Sequence, residues 1–479
     1  MCTPTRCALL TGKYPIRYGM HHGVVMPLTP FGLPPELTLL PQKLKKAGYA
    51  THIVGKWHLG YFEWQYTPTY RGFDTFYGFY NGAEDKWSHK RDGILDLRDQ
   101  KSPVTDMNNV YSTNLFVKVW YTLVSYKRDG ILDLRDQKSP VTDMNNVYST
   151  NLFVKRTEQI IESHNSSVPL FLYLSLQNVH SPIQAPVPFI NKYDFIEDPK
   201  RRIHAGMISA VDEAIGNVTS ALRNKGLWDN TLMVFSTDNG GMPTCGGYNW
   251  PLRGCKATLW EGGVRGAAFV HGSMIEKKGR KCKELLHVTD WFPTLTSLAG
   301  LSDSEEDALD GFNVWDTISK DDPSPRTEIL HNIDVDESGD ERLSFDGIAL
   351  RVGHMKIIMS VLNHPWFKPP ELKIDQQHTD EDMTLISLVL DSRGSQKDQD
   401  RSQIERKDKA IKEALFNITA DPEERHDLSA KFPDIVAKLK ERVDFYRKGV
   451  VKMRNQRDDP EALASAKRNG VWGPWRGLE

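Results

Sequence analysis

Three short apolar segments separated by helical stretches constrain the fold of this chain most strongly. They cover residues 51–54, 170–176 and 232–235, and each is followed by a small or polar residue. Between the last two, residues 205–222 carry apolar side chains at helical spacing, as a crossover helix between parallel strands would. Uninterrupted apolar runs are typical of strands that are buried on both faces of a parallel sheet. The order predicts an α/β fold with a largely parallel sheet flanked by helices.

The last third of the chain has a different pattern. Short strands are expected from about residue 346, and Pro433 opens an amphipathic helix that can pack on a small sheet. We therefore predict a large domain over residues 1–335 and a smaller C-terminal domain over 346–479, with an antiparallel sheet and a helix. A charged tract at 392–412 is expected to be a solvated loop or an insertion. The apolar face of the helix consists of Ile435, Val436, Leu439, Val443 and Tyr446.

Composition excludes several classes of protein. The 479 residues contain 61 Lys and Arg against 63 Asp and Glu, so no broad basic face favours nucleic acid or an anionic membrane. The apolar runs are far shorter than the roughly 20 residues of a membrane-spanning helix. Five cysteines are too few for a disulfide scaffold, and no paired C-x-x-C zinc pattern occurs. Spacing does not decide whether any of Cys7, Cys245, Cys255 and Cys282 pair.

A perfect internal repeat interrupts the first domain. Residues 90–118 recur without a single difference as residues 127–155, and the apolar linker 119–126 joins the two copies. Repeat architectures need about three copies and accumulate differences, so two identical copies do not predict a solenoid. We interpret the repeat as a segment duplication, or an error of sequence assembly, and expect one copy to form an extruded excursion.

Two motifs near the N-terminus carry the chemical information. Residues 2–6 read Cys-Thr-Pro-Thr-Arg, and residues 48–58 read Gly-Tyr-Ala-Thr-His-Ile-Val-Gly-Lys-Trp-His. Alone, the first motif is also consistent with a small buried Cys near a turn. Together they resemble the two signatures of the sulfatase family, in which the Cys, here Cys2, is oxidised to formylglycine by a dedicated enzyme. Thr5 stands where that family usually has Ser.

The resemblance runs from Met1 nearly to Glu479 and is closest to the arylsulfatase B, or N-acetylgalactosamine-4-sulfatase, type. It implies an alkaline-phosphatase-like α/β fold, in which residues 1–335 would be the catalytic domain. Further segments that look like this type are residues 176–180, 236–241, 249–254, 259–266, 421–428 and 470–475.

The implied chemistry explains why these residue types are needed. A sulfate monoester is an anion with a poor leaving group, so its site must neutralise oxygens, supply a nucleophile and protonate the leaving alkoxide. A hydrated aldehyde at position 2 offers two hydroxyls on one carbon, one to attack sulfur and one to expel the sulfate later. An unmodified thiol cannot perform the second step.

Each further site residue has a role by resemblance. Arg6 would support the formylglycine and the metal, and Lys56 and Lys256 would hold sulfate oxygens. His58 would take the proton from the second hydroxyl. His180 would serve the leaving group together with Lys256. A lone Lys is usually solvated and a lone His is often structural, so these roles depend on the flanking motifs.

A metal is expected after the third apolar segment. Asp238 and Asn239 offer oxygen ligands there. The sequence Asp-Asn-Gly-Gly is, however, also typical of a turn without any metal. The resemblance implies one calcium ion held by these residues and the group derived from Cys2. Calcium takes 6–8 oxygen ligands, so this set is incomplete. In the family the remainder comes from an aspartate pair on a first strand that precedes the signature Cys.

The resemblance therefore also implies a longer gene product. We expect the first strand and a signal peptide to lie upstream of Met1, so that the chain as given is inactive while the complete product is lysosomal or secreted. Three Asn-x-Ser/Thr sequons, at Asn165, Asn217 and Asn417, suit a glycosylated secretory protein.

The predicted function is hydrolysis of sulfate esters, with sulfated glycosaminoglycans as the expected substrates. The expected partners are a sulfated glycan or aryl sulfate and the formylglycine-generating enzyme, with no nucleic acid and no membrane span. Two alternatives remain open at this point. One is a phosphatase or phosphodiesterase of the same superfamily, which would use Ser or Thr as nucleophile. The other is a catalytically inactive sulfatase-like protein that binds glycans.

Overall fold

The computed structural model describes residues 1–100, 147–302, 308–334, 347–372, 410–452 and 457–477, with the backbone of three further short strand segments. The helices are α1 (Cys2–Thr11), α2 (Leu40–Lys46), α3 (Ser149–Ser163), α4 (Val187–Asn191), α5 (Pro199–Asn224), α6 (Glu261–Val264), α7 (Trp291–Leu298), α8 (Trp315–Lys320), α9 (Pro433–Arg447) and α10 (Pro460–Asn469). The first ten strands are β1 (Ala50–Lys56), β2 (Thr75–Phe79), β3 (Lys90–Arg91), β4 (Ile94–Leu95), β5 (Leu97–Asp99), β6 (Ser102–Pro103), β7 (Arg135–Asp136), β8 (Ser139–Pro140), β9 (Leu170–Ser175) and β10 (Met233–Ser236). The remaining strands are β11 (Ala268–His271), β12 (Glu328–Asp334), β13 (Gly347–Val352), β14 (Met355–Leu362) and β15 (Ala410–Asn417).

The largest sheet has the strand order β6-β5-β2-β1-β9. β1 runs parallel to both of its neighbours, with Val54 opposite Tyr77 of β2 and Leu174 of β9. β5 and β6 extend the sheet in antiparallel pairing. The predicted α/β class with a largely parallel sheet is confirmed.

Helices cover both faces of this sheet because its central strands are apolar on both faces. Phe171 and Tyr173 of β9 pack in the cluster that contains residues of α1, α2 and α7. Leu172 and Leu174 point the other way and pack against Ile161 of α3 and the C-terminal half of α5. Alternate residues of a strand point to opposite faces, so one apolar run contributes to two cores.

The predicted helix over residues 205–222 is confirmed as α5, but it does not connect two strands of the parallel sheet, because the strand that follows it, β10, belongs to another sheet. Asp198 caps its first turn by accepting a hydrogen bond from the main-chain nitrogen of Arg201 at 2.7 Å. The side chains that face the sheet and α3 are buried at helical spacing, and they include Met207, Ala210, Ala214, Val218 and Leu222.

The third apolar run pairs differently from the expectation. β10 forms a two-stranded antiparallel sheet with β11, in which Val234 lies opposite Val270, and its residues are half-buried or exposed. The expectation that this run is a strand buried on both faces of the parallel sheet was therefore wrong. A run of four apolar residues is compatible with an antiparallel pair as well as with a central strand of a parallel sheet. The run itself does not indicate which strand it will pair with.

A second sheet lies in the C-terminal part, with four antiparallel strands in the order β12-β13-β14-β15. The apolar face of α9 packs on it, and Val436, Leu439, Val443 and Tyr446 are buried there as predicted. Because β12 pairs with β13, the division between the two sheets falls before residue 328 rather than after 335. Strand pairing decides membership of a sheet, and the sequence at this boundary does not reveal it.

The last described residues return to the first domain. Ala466 of α10 and Trp472 belong to the core that contains α1 and β1. The indole nitrogen of Trp472 donates to the main-chain oxygen of Arg91 at 2.8 Å. Apolar side chains at the end of the predicted C-terminal domain over 346–479 are thus buried in the larger core, and the bounds of that domain stay a prediction.

The described parts of the two repeat copies have different places in the fold. Residues 90–100 of the first copy form β3, β4 and β5, whereas residues 147–155 of the second copy lead into α3. The short pairing of β5 with β6 recurs between β7 and β8, where Arg135 lies opposite Pro140. The expected excursion, and most of the charged tract at 392–412, lie outside the described residues.

No helix in the described parts of the chain is both long enough and apolar enough to cross a membrane.

Candidate active site

Cys2 is the first residue of α1, and its side chain is 2% exposed. Its sulfur atom lies 3.7 Å from the side-chain nitrogen of Lys256. Pro4 is tolerated in the first turn because the nitrogens there have no intrahelical partner, and α1 ends at Gly12 in the left-handed conformation. The positive end of the helix dipole is therefore directed towards Cys2, which favours an anion at this position.

Lys56 and His58 reach the site because the pairing of β1 continues past its end. The main-chain nitrogen of His58 donates to the oxygen of Tyr80 at 3.0 Å. A side chain at Gly55 would place its Cβ 2.1 Å from the main-chain oxygen of Ser175, so β9 can approach only a glycine here. The Gly-Lys-Trp-His run thus places both predicted site residues at the end of one strand.

Lys256 is held beside the predicted metal residues. Its main-chain nitrogen donates to the oxygen of Gly241 at 3.0 Å. The amide oxygen of Asn249, earlier in the same segment, accepts from the nitrogen of Gly241 at 2.7 Å. These bonds explain how a lysine distant in sequence comes to face Cys2.

The two threonines of the first motif connect α1 to the rest of the site. The hydroxyl of Thr3 donates to the main-chain oxygen of His58 at 3.0 Å. The hydroxyl of Thr5 donates to the main-chain oxygen of Asp238 at 2.7 Å. Sequence reasoning assigned no role to Thr3, although its position inside the motif was a signal that could have been used.

Arg6 joins three elements below the site. Its guanidinium donates to the main-chain oxygen of Lys56 at 2.9 Å and to the hydroxyls of Ser175 and Tyr173. These contacts support Lys56 at the ends of β1 and β9. Direct support of the nucleophile and the metal by Arg6 stays a prediction.

The ring of His58 is oriented by its surroundings. Its Nε2 lies 3.0 Å from the main-chain oxygen of Val25, an acceptor, so Nε2 carries the hydrogen and Nδ1 has the lone pair. Nδ1 is buried and has no protein hydrogen-bond partner among the described residues. A Cβ at Gly82 would lie 2.6 Å from the ring, so only glycine leaves room for this imidazole. His58 also has a φ of 59°, an uncommon conformation of the kind that concentrates at functional sites.

His180 follows β9 and lies near Cys2. Its Nδ1 lies 2.7 Å from the main-chain oxygen of Ser181, so Nδ1 carries the hydrogen. Because Nδ1 is engaged in this way, Nε2 is the ring nitrogen left to interact with the side chain of Cys2.

The site is positive in charge and stabilises a negative group at position 2. Burial raises the pKa of Cys2, but the charges of Lys256 and Lys56, and next the imidazoles of His180 and His58, bring this pKa well below its ordinary value. An anion at this position is therefore stabilised by its neighbours despite its burial.

The two lysines respond differently to the same surroundings. Burial lowers the pKa of Lys56 to about 8, although the negative charge of Cys2 acts against it. Burial also acts to lower the pKa of Lys256, but the charges of Cys2 and Asp238 outweigh it and raise this pKa. Both lysines carry a charge at neutral pH, as the binding of sulfate oxygens requires.

Both imidazoles of the site are neutral at pH 7. Burial, and next the charge of Lys56, lowers the pKa of His58 to about 4. Burial, and next the charge of Lys256, lowers the pKa of His180. A neutral His58 is suited to accept a proton, as the predicted role demands.

Asp238 and Asn239 lie just past β10, where a metal was expected. The amide nitrogen of Asn239 donates to the oxygen of Gly240 at 2.9 Å, while its amide oxygen is buried without a protein partner among the described residues. A buried free amide oxygen beside a carboxylate fits a cation that prefers oxygen. In the described parts of the chain, no three His, Cys, Asp or Glu residues form a metal cluster. The residues present thus fit part of a calcium site.

The other cysteines take no part in this arrangement. All five cysteines are in the described part of the chain, and all are free thiols. Burial raises the pKa of Cys255, the neighbour of Lys256, to about 12, so its thiol is inert.

Comparison with known proteins assigns the family. The family model described as Sulfatase matches residues 1–301, which is more than half of the chain. The chain belongs to the sulfatase family. The predicted family and the enzyme class are thereby confirmed.

Among sulfatases, the chain is 39% identical to mouse (Mus musculus) arylsulfatase J, an alignment that covers 99% of this chain and 73% of that protein. It is 29% identical to human (Homo sapiens) N-acetylgalactosamine-6-sulfatase, where it covers 66% of this chain and 56% of the relative. The chain thus spans little more than half the length of the latter. The predicted closeness to arylsulfatase B stays a prediction.

Solved structures share the fold. A crystal structure of Ps i-CgsB in complex with k-i-k-neocarrahexaose superposes with a TM-score of 0.69 and 23% identity, covering 98% of this chain and 86% of that one. The PsFucS1 sulfatase from Pseudoalteromonas sp. gives a TM-score of 0.61 and 20% identity, covering 95% of this chain and 82% of that one. The alkaline-phosphatase-like architecture is confirmed.

Proposed function

We propose that this sulfatase hydrolyses sulfate esters of glycans through a formylglycine formed from Cys2. The observation that carries the proposal is the position of the Cys2 sulfur, 3.7 Å from the ammonium of Lys256 and within electrostatic reach of Lys56 and of the imidazoles of His58 and His180. Such a site combines cations for an anionic ester with two imidazoles for proton transfer.

The residues of the chain have separate tasks in this reaction. When present, the hydrated aldehyde supplies a hydroxyl that attacks sulfur and a second hydroxyl whose deprotonation releases the sulfate. Lys56 and Lys256 neutralise the ester oxygens before and during the attack. The Nδ1 of His58 accepts the proton of the second hydroxyl.

The leaving group needs a proton when it is a sugar alkoxide. Lys256 holds one, because its pKa is raised by the charges of Cys2 and Asp238 despite its burial. His180 is neutral in the protein alone, and a bound sulfate ester would raise its pKa by adding negative charge. The two residues thus serve the leaving-group oxygen together.

One calcium ion is the expected metal. Asp238 and Asn239 would hold it beside position 2, where its charge would polarise a sulfate oxygen. The buried free oxygen of Asn239 supports this assignment.

Names of relatives support a glycan substrate. N-acetylgalactosamine-6-sulfatases are among the relatives, and one structural neighbour was solved with a neocarrahexaose. We propose sulfated glycosaminoglycans as the substrate class, with 4-sulfated galactosamine as the first compound to test. The distinction between positions 4 and 6 of the sugar rests on the sequence resemblance alone.

A lysosomal or secreted location is part of the proposal. Asn165 and Asn217 are exposed, so carbohydrate could be attached to either without displacing core residues. Asn417 is half-buried, and its side-chain oxygen accepts from the main-chain nitrogens of Thr419 and Ala420. Glycosylation is therefore expected first at Asn165 and Asn217.

The test combines mass and activity. The full-length protein is co-expressed with a formylglycine-generating enzyme, position 2 is examined by peptide mass spectrometry, and hydrolysis of nitrophenyl sulfate and nitrophenyl phosphate is compared. We expect the aldehyde at position 2, selective turnover of the sulfate, and its loss in Cys2→Ala. Turnover of the phosphate alone would indicate a phosphatase. A folded, aldehyde-bearing protein that binds sulfated glycan without turnover would indicate an inactive binding protein.

A further inference from the structure

Lys86 is a fully buried cation that the proposed chemistry does not use. Its ammonium nitrogen donates to the main-chain oxygen of His180 at 2.7 Å and to that of Pro182 at 2.5 Å. Both acceptors belong to the segment that carries the imidazole facing Cys2. The side chain of Lys86 therefore holds the backbone on either side of Ser181.

The carbonyl groups of this segment alternate in direction. Those of His180 and Pro182 point to Lys86, whereas that of Ser181 accepts from Nδ1 of the His180 ring at 2.7 Å. Fixing the first and third carbonyls also fixes the one between them. Lys86 thereby determines which nitrogen of His180 carries hydrogen and leaves Nε2 for the group at position 2.

The segment that carries Lys86 is itself firmly anchored. The amide nitrogen of Gln177 donates to the main-chain oxygen of Glu84 at 2.7 Å. The side chain of Gln184 accepts from the main-chain nitrogen of Lys86 at 3.0 Å and donates to Asp85 at 2.7 Å. The two glutamines lie on either side of His180 in the sequence, so their hydrogen bonds hold the backbone of Lys86 in a fixed position relative to the His180 segment.

Burial of this lysine costs free energy, because its ammonium group is removed from water. It lowers the pKa of Lys86 to about 7, although Glu84 and Asp85 act in the opposite direction. An apolar side chain of similar length would avoid that cost but would leave the main-chain oxygens of His180 and Pro182 without the ammonium donor. This cost is consistent with a function of Lys86 in holding the His180 segment in one conformation.

We propose that Lys86 is a positioning residue, which aligns Nε2 of His180 with the oxygen of the leaving group. The inference rests on the proposed sulfatase function. It predicts that the loss of Lys86 affects leaving groups that need a proton and has little effect on those that do not. A merely structural residue would show no such selectivity.

The experiment compares Lys86→Met with Arg71→Met on two substrates. Arg71 is a matched control, because it is also a buried cation that donates to main-chain oxygens, those of Leu33, Pro34 and Leu37. For galactosamine 4-sulfate, which leaves as an alkoxide, we expect Lys86→Met to lower kcat about 10–100-fold. For nitrophenyl sulfate, which leaves as a stable phenolate, kcat should fall less than about threefold. Arg71→Met should change both rates by the same factor.

A double-mutant cycle with His180→Ala provides the second readout. The two substitutions should be strongly non-additive for the sugar sulfate, since Lys86 acts only through His180. An equal fall on both substrates, or additivity in the cycle, would overturn the proposal. If Lys86→Met does not fold, Lys86→Gln retains one donor and enters the same assays.

A measurement without turnover separates this inference from the proposed function. Nitrogen NMR of the histidines should show His180 as the Nδ1–H tautomer in the parent and a mixture in Lys86→Met. An unchanged tautomer would contradict the role of Lys86 even in an inactive protein. Failure of the parent to hydrolyse either sulfate, with the tautomer shift observed, would count against the sulfatase reaction alone.

Discussion

The hydroxyl of Thr5 donates to the main-chain oxygen of Asp238 at 2.7 Å and so connects the helix of the proposed nucleophile to the segment of the proposed metal. The two residues are far apart in sequence, and this bond keeps Cys2 and Asp238 in one rigid group. A serine could make the same bond, which explains how Thr replaces the usual Ser.

We therefore expect Thr5→Val to reduce turnover and to lower the free energy of unfolding by about 1 kcal/mol, the net value of one such hydrogen bond. Thr5→Ser should retain the turnover and the free energy of unfolding of the parent. Turnover of nitrophenyl sulfate and thermal unfolding provide the measurements. Equal activity of Thr5→Val and the parent would show that the bond does not organise the site.

The acid limb of kcat/KM should report His58. This residue must be neutral to accept a proton, and burial together with the charge of Lys56 lowers its pKa to about 4. The rate should fall about tenfold per pH unit below that value. In Lys56→Met the imidazolium loses a repelling cation, so the limb should move to higher pH while remaining below 6.5, because burial persists.

The control for this pH profile is Lys438→Met, on the exposed side of α9. It should leave the limb in place. An acid limb that does not move in Lys56→Met would mean that another group controls it.

Gly82→Ala should impair the site without unfolding the protein. The added Cβ would lie 2.6 Å from Cε1 of the His58 ring, so the imidazole must move. We expect kcat to fall at least about tenfold, since positioned proton transfer contributes about 100-fold or more. Gly216→Ala, in an open position of α5, is the control and should preserve kcat while raising stability slightly. Parent-like kcat in Gly82→Ala would contradict the role of His58.

A buried ion cluster connects β14 to α6 and should dominate stability there. Lys356 of β14 donates to Glu261 at 2.9 Å and to Glu424 at 2.8 Å, and all three side chains are buried. Lys356→Met leaves two buried carboxylates, so we expect a loss of about 3–5 kcal/mol in denaturant unfolding. The exposed pair of Lys440 and Glu413 should be worth no more than about 1 kcal/mol, tested by Lys440→Met. Similar losses in the two variants would refute this distinction.

Part of the site could be predicted from local sequence. Cys2, Lys56 and His58 belong to motifs in which neighbouring residues report the turn or strand end. Gly82 and Lys86 lie in an irregular loop without periodicity, so no pattern indicated that they pack against His58 and support His180. Their roles depend on contacts across the fold.

The sequence by itself determined the alternating elements, the periods of α5 and α9, and the residue types of a site for an anionic ester. These follow from local rules, since burial on one face repeats every 3.6 residues in a helix. Only the tertiary structure decided that Lys256 meets Cys2, that β10 pairs with β11, and that β12 joins the second sheet. Such contacts depend on which distant surfaces are complementary in shape and hydrogen bonding, and a local pattern carries no record of its partner.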